Sequence, residues 1–122
     1  MSKGPQHNDL DQPVGPALPG WQFPARPAQR RLQGRFCSVE PLDVARHARA
    51  LFDANANDRE HRMWTYLSYG PFMDFDTYER WLTECAASTD PLFQAFVDRR
   101  SGNAVGVGTF MRIDPLAGTI EV

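Results

Sequence analysis

The feature that most constrains the fold of this chain is a change in the spacing of its apolar residues near Ser88. Upstream, residues 43–87 repeat apolar side chains every three to four positions, which is the period of an amphipathic helix. Downstream, residues 91–98 and 104–113 follow the two-residue period of strands. The sequence therefore predicts helices followed by an antiparallel sheet, an α+β arrangement.

Residues 1–33 differ in composition from the rest. They hold six of the ten prolines, among glycines and polar residues, and such a segment buries too little apolar surface to form its own core. Trp21 and Phe23 are large aromatics in this segment, and we expect them to hold it against the folded body. The sequence thus predicts an N-terminal arm over 1–33 and one domain over 34–122.

Within the domain the predicted order is one strand, two to three helices and a meander of three strands. Asp43 is expected to cap the first helix, after a strand near 35–40. A short second helix is expected after Asp58, presenting Met63, Trp64 and Leu67. A third is expected near Asp76, whose spacing to Glu79 has the form of a capping box. The later strands are predicted at 91–98, 104–113 and from 118 onward.

Two features of the predicted sheet stand out. Gly106 and Gly108 lie inside a strand, which indicates that another group packs closely against its backbone. The final segment, Gly118–Val122, has the alternation of an opening strand, with Ile120 and Val122 on one face. An unprotected apolar edge invites pairing with another chain, so we expect a tendency to self-association.

Charge and composition exclude several partners. The net charge is −2, with four basic and two acidic residues in 1–33 and nine basic and thirteen acidic in the remainder. This predicts no basic surface for nucleic acid. No apolar run approaches the roughly 18 residues of a membrane span. Cys37 and Cys85, far apart and preceded by no apolar leader, predict buried thiols in a cytoplasmic protein.

The histidines and glycines form no recognised motif. His7, His47 and His61 lack the spacing of metal ligands, so no metal site is predicted. No G-x-x-x-x-G-K or G-x-G-x-x-G sequence occurs, and the glycines at 106 and 108 lie within a strand. The sequence therefore predicts no nucleotide site of these types.

Residues 64–75 concentrate five aromatics around a Gly-Pro break. Packing of a short helix and loop on the sheet is the simpler interpretation, and it suits Trp64 and Phe75 best. Tyr66, Tyr69 and Phe72 fit equally well as the lining of a concave binding site, because loop aromatics with polar tips often line such sites.

Glu121 is the only carboxylate on the last predicted strand. It is either a solvent-facing residue or a catalytic base. Arg112, on the preceding strand, is either a surface residue or the partner of a carboxylate or ligand. The residues alone leave both alternatives open.

Five stretches together resemble one known family: "GRFCSVEPLDVARHARALFDAN", "WTYLSYGPF", "DPLFQAFVD", "GNAVGVGTFMRIDP" and "GTIEV". They are similar to the N-terminal half of a GNAT-family N-acetyltransferase, and within it to the bacterial subgroup that resembles ribosomal-protein N-terminal acetyltransferases. The resemblance implies a partial GNAT fold, cut within its fourth strand. In such enzymes a [QR]-x-x-G-x-[GA] loop after that strand holds the acetyl-CoA pyrophosphate, and this sequence does not contain it.

The resemblance also implies roles for particular residues. It makes Glu121 a candidate base and places Tyr66, Tyr69 and Phe72 in the pocket of the amine acceptor, a small molecule or a protein N-terminus. The complete protein is expected to use acetyl-CoA, whereas this chain alone is expected to be inactive. Two alternatives remain: a non-enzymatic interaction module that pairs its exposed edge, and one half of a split enzyme completed in trans.

Overall fold

The computed structural model describes residues 4–122, which contain seven strands, two α-helices and one 3₁₀ turn. In chain order these elements are β1 (Gln6–His7), β2 (Pro13–Val14), β3 (Leu32–Gln33), β4 (Cys37–Pro41), α1 (Val44–Asn55), the 3₁₀ turn (Arg62–Trp64), α2 (Phe75–Ala87), β5 (Leu92–Asp98), β6 (Ala104–Asp114) and β7 (Thr119–Glu121).

Five strands form one antiparallel sheet in the order β3-β4-β5-β6-β7. Strand β5 lies at its centre and is buried from Leu92 to Ala95 and again at Val97, as its apolar pattern on both faces predicts. The predicted α+β class is confirmed. Strands β1 and β2 form a separate exposed hairpin in the arm.

Helices α1 and α2 cover one face of this sheet. Leu51 from α1 and Tyr78 and Leu82 from α2 are fully buried, and they pack in one core with Phe93 and Ala95 of β5. The helical period of the sequence thus identifies the buried stripes, since burying apolar side chains on a sheet is the main source of stability for such helices.

The N-terminal cap of α1 is the residue predicted from the sequence, whereas that of α2 is not. Asp43 caps α1 as predicted, accepting a hydrogen bond from the Arg46 N–H at 3.1 Å. Helix α2 is capped by Asp74 and not by Asp76: Asp74 accepts the Thr77 N–H at 2.8 Å and the Thr77 hydroxyl at 2.9 Å. Asp74 has the extended backbone of a cap residue, whereas Asp76 is already in the first helical turn.

The predicted second helix is wrong, because only a single 3₁₀ turn forms there. Its preceding residue, His61, has a left-handed backbone with φ of 56°, which interrupts the helical path. Trp64 is buried, but Met63 and Leu67, on this turn and the loop after it, are 49% and 44% exposed.

Close packing against the glycines of β6 is confirmed. A Cβ atom at Gly108 would lie 2.5 Å from Cζ of Phe96, so the ring of the neighbouring strand occupies the space of a side chain. At Gly106 the same ring would be at an ordinary 3.5 Å. Gly108 is therefore the position where the absence of a side chain is required.

The N-terminal arm contacts the body at several points. Trp21 lies against Gly118, where a Cβ atom would be 3.1 Å from the indole, and packs edge-on with Phe23 at 5.1 Å. Arg26 donates to the Thr89 carbonyl at 3.3 Å. Residues 32–33, which the sequence predicts to lie in the arm, pair with β4 and extend the sheet.

The cysteine prediction is half wrong. Cys85 is buried, and burial, with the charge of Glu84 beside it, raises the pKa of its thiol to about 11. Cys37, at the start of β4, is exposed. Its position on the side of the strand away from the helices accounts for the difference, because nothing in the described part of the chain covers it there.

Candidate functional site

A groove of about 350 Å³ opens between the two helices, the loop after the 3₁₀ turn and strand β6. Its walls are formed by Leu51, Asn55, Met63, Trp64, Leu67, Tyr69, Tyr78, Trp81, Phe93 and residues 105–109. A volume of this size is within the range of small-molecule sites. The groove lies on the helix-covered side of the sheet.

Aromatic rings make up one side of this groove. Trp81, on the flank of the α2 core stripe, has its ring centroid 4.8 Å from that of Tyr69 and 6.3 Å from that of Trp64. These are the separations of favourable offset and edge-to-face pairs. The 3₁₀ turn contributes Trp64, the loop after it contributes Tyr69 and the helix contributes Trp81, so the groove exists only when the turn and the loop pack on α2.

The polar groups in the groove are neutral. Burial raises the pKa of Tyr78 to about 12, and a hydrogen bond with Asn55 offsets this shift in part. The phenol consequently stays protonated at neutral pH. Asn55 and Tyr78 thus provide hydrogen-bonding groups but no charge.

The three aromatics predicted to line an acceptor pocket occupy three different places. Tyr69, 37% exposed, lines the groove. Phe72 stacks on Trp81 at 4.9 Å but lines an adjoining cavity of about 280 Å³, together with Arg59 and His61. Tyr66 is 96% exposed and lines neither space.

Glu121, the predicted base, lies on β7 opposite Met111 of β6. Its carboxylate forms an ion pair with Arg112, with Oε2 3.3 Å from Nε, and its side chain is 49% exposed. Met111 is two residues from Thr109, which lines the groove, so roughly 7 Å of strand separates the two positions. Glu121 is therefore near one end of the groove and open to solvent.

An irregularity in β6 positions this end of the site. Arg112 has a positive φ of 49°, and the register between β6 and β7 shifts at this point. The carboxylate of Asp90 accepts the N–H groups of Arg112 at 2.9 Å and Ile113 at 3.1 Å. Asp90 thereby satisfies two donors that the irregular strand leaves free of its ladder.

A buried carboxylate cluster was not predicted from the sequence. Glu40, whose side chain is 3% exposed, accepts from Ser38 at 3.2 Å and from Nε2 of His47 at 3.1 Å. Arg46 lies 3.1 Å and Arg31 3.2 Å from its two oxygens. The sequence contains one signal that could have predicted this cluster: two polar residues alternate on β4, and a histidine follows in the first turn of α1.

The charge state of this cluster follows from its contacts. Burial raises the pKa of Glu40, but the hydrogen bond from His47, the charge of Arg46, the bond from Ser38 and the charge of Arg31 outweigh it, so the net pKa is lowered. His47 accepts the Asp43 N–H at Nδ1, which leaves Nε2 to donate to Glu40. The cluster joins the arm, β4 and α1.

Two further observations concern residues 4–122. No three His, Cys, Asp or Glu side chains in this range come together as a metal-binding group. In the same range, neither α-helix has the length and apolar character needed to cross a membrane.

Comparison with known proteins identifies the fold. No protein-family model and no curated protein matches the sequence. A GCN5-related N-acetyltransferase from Brucella melitensis is 34% identical, with a TM-score of 0.79, over 84% of this chain and 47% of that one. A probable GNAT-family acetyltransferase from Chromobacterium violaceum ATCC 12472 is 32% identical, with a TM-score of 0.72, over 89% of this chain and 54% of that one.

The chain thus spans about half the length of these two structures. The match includes most of the chain in both comparisons, and the element order and antiparallel sheet are consistent with a GNAT fold. On this sequence identity and structural similarity, the chain belongs to the GNAT family of N-acetyltransferases.

Proposed function

We propose that the protein containing these residues transfers an acetyl group from acetyl-CoA to an amine. The observation that carries this proposal is the match at 34% and 32% identity to two GNAT acetyltransferases. Stretches such as "WTYLSYGPF" and "GTIEV" further support membership of the bacterial subgroup that resembles ribosomal-protein N-terminal acetyltransferases. Cys37 is exposed and unpaired, which is typical of a reducing compartment and supports a cytoplasmic location.

In this proposal the described residues supply the acceptor side of the reaction. Glu121 removes the proton that the attacking nitrogen must lose, and its solvent exposure gives that proton a path to water. Arg112 holds the carboxylate in place through the ion pair. Tyr69 and the groove position the acceptor, while Phe72 packs against the Trp81 ring. A role for Tyr66 stays a prediction from the family resemblance.

Acetyl-CoA supplies the activated acetyl group, and its pyrophosphate needs free backbone N–H donors. The starts of both α-helices described here are unsuitable, because the Asp43 and Asp74 carboxylates accept those N–H groups and repel an anion. Neither helix start therefore fits this part of acetyl-CoA. We accordingly propose that the 122-residue chain alone does not catalyse the reaction.

The test compares two proteins: the product of the gene that contains these codons, and the 122-residue chain. Each is mixed with acetyl-CoA and a panel of primary amines, and release of free CoA thiol is followed together with the mass of the acetylated product. We expect turnover by the gene product and none by the 122 residues. A gene product without acetyl transfer to any amine would contradict the function, and turnover by the 122 residues would contradict their inactivity.

A second candidate is a non-enzymatic module that pairs through its sheet edge. Ile120 and Val122 are exposed there, and β6 has no strand partner on this side from Ala104 to Phe110 within the described residues. A polypeptide completing the enzyme in trans would use the same edge. Light scattering of the 122-residue chain over a range of concentrations distinguishes self-pairing from a monomer. A monomer at all concentrations contradicts self-pairing.

A further inference from the structure

The groove contains no formally charged side chain among the described residues that line it, and the chemistry of its occupant follows from this. Those side chains are aliphatic, aromatic or neutral and polar. The nearby basic residues, Arg59 and His61, line the adjoining cavity instead. A polycationic amine in this groove would lose hydration without gaining an ion pair, which is unfavourable.

We propose that the groove binds the apolar body of a monoamine that carries one uncharged aromatic or large aliphatic group. This rests on the proposed function, because it identifies the groove as the acceptor site of acetyl transfer. It separates two classes of small-molecule acceptor: amines with an apolar body, which the groove accepts, and polycations, which it disfavours.

The shape of the groove favours a ring or a branched alkyl group. Trp64, Tyr69 and Trp81 present ring surfaces on one side, and Val105 and Val107 of β6 present alkyl groups on the other. A flat ring between these walls would stack offset or edge-on against the aromatics, as they already do against each other. Neither wall offers a carboxylate to an additional ammonium group.

The position of Glu121 sets the direction of the acceptor. The groove wall on β6 ends at Thr109, and Glu121 is opposite Met111, two residues farther along the strand. With its apolar body in the groove, a monoamine directs its nitrogen toward this end. An amine with a second cation would place that charge among the rings instead.

The three tryptophans allow a direct binding test on the 122-residue chain. Trp64 and Trp81 line the groove and Trp21 lies on the arm, so the indole N–H signal of Trp21 in an ¹⁵N spectrum is an internal control. We expect 2-phenylethylamine to move the Trp64 and Trp81 signals and to leave Trp21 in place. Spermidine and ethanolamine should bind at least about tenfold more weakly, a difference of 1.4 kcal/mol.

Two outcomes overturn the proposal. One is equal or tighter binding of spermidine at the Trp64 and Trp81 signals. The other is the absence of any phenylethylamine-induced shift at those two signals when Trp21 and the rest of the spectrum show a folded chain.

Variants test whether binding depends on the groove. Tyr69→Ala removes one ring and should weaken phenylethylamine binding, but it also removes packing on Trp81. Leu67→Asp, at an exposed wall position, adds a carboxylate and should shift the preference toward spermidine. Leu116→Asp, the same substitution on the exposed β6–β7 turn outside the groove, is the matched control. Identical effects of the two aspartates would contradict a specific site.

This experiment and the test of acetyl transfer fail independently. Binding of phenylethylamine to the groove without acetylation by the gene product refutes the enzyme and leaves the binding site. Acetylation that prefers spermidine refutes the acceptor class and leaves the enzyme.

Discussion

Glu40 and Glu121 differ in nearly every respect except their distance to an arginine. Glu40 is 3.2 Å from Arg31 and Glu121 is 3.3 Å from Arg112. However, the Glu40 side chain is 3% exposed and has four partners, whereas that of Glu121 is 49% exposed and has one ion-pair partner. The ion-pair distance alone therefore does not distinguish a structural carboxylate from a functional one. Burial makes the first carboxylate part of the fold and leaves the second free for chemistry.

The largest effect is expected from Glu40→Ala. The substitution leaves His47 buried without its acceptor and separates Arg31 and Arg46 from their shared partner. Both arginines reach water, so the expected loss in free energy of unfolding is about 2–3 kcal/mol, below the value for fully buried pairs. Urea unfolding measures it. If Glu40→Ala lowers the free energy of unfolding no more than Glu121→Ala does, burial of Glu40 does not make it important for stability.

Lowering the pH should remove the stability that the buried Glu40 carboxylate contributes. Because the folded-state pKa of Glu40 is below 4.5, the usual value for a glutamate, the stabilising contribution of its charge is complete above that pH and is lost as pH falls through the folded pKa. Asp74 and Asp98 also have lowered pKa values, but they are present in wild type and variant alike.

The measurement is the stability difference between wild type and Glu40→Gln at several pH values. This difference should be largest at neutral pH and shrink as pH falls below about 4.5. A difference that stays constant down to the acid transition would show that the charge of Glu40 contributes nothing.

Two arginines give a matched test at similar ion-pair distance. Arg31→Ala removes a charged hydrogen-bonding partner from a buried carboxylate and should cost about 1 kcal/mol. Arg112→Ala removes one from an exposed carboxylate and should stay within about 0.5 kcal/mol. Since Arg31 precedes β3, its loss should also speed proteolytic cleavage in the arm. Equal behaviour of the two variants would contradict the comparison.

The smallest effect on stability is expected from Glu121→Gln. An exposed ion pair contributes little, so the change in unfolding free energy should be below about 0.5 kcal/mol. In the gene product, by contrast, loss of a general base should lower acetyl transfer about 100-fold or more. Thiol release at saturating acceptor measures this. Unchanged turnover would remove Glu121 from the mechanism and leave the groove proposal intact.

Local pattern in the sequence was sufficient for the framework of the fold. The change in apolar period predicts α1, α2 and the later strands, because burial on one face imposes a helical or two-residue repeat on neighbouring positions. Asp43 as a cap follows from the same local logic. The errors at Asp76 and at the second helix arose where backbone conformation decided: an extended residue at 74 and a left-handed residue at 61.

The candidate site depended on contacts that no local pattern contains. The sequence offers no basis for choosing among the loop aromatics Tyr66, Tyr69 and Phe72. Only the packing of their loop on Trp81 distinguishes them. In the sequence Glu40 is an ordinary strand carboxylate, and only the tertiary structure shows that Arg31, Arg46 and His47 surround it. The sequence by itself determined which faces are apolar. The tertiary structure decided which faces meet, because contacts between distant residues depend on how helices and sheet pack and not on the period of either.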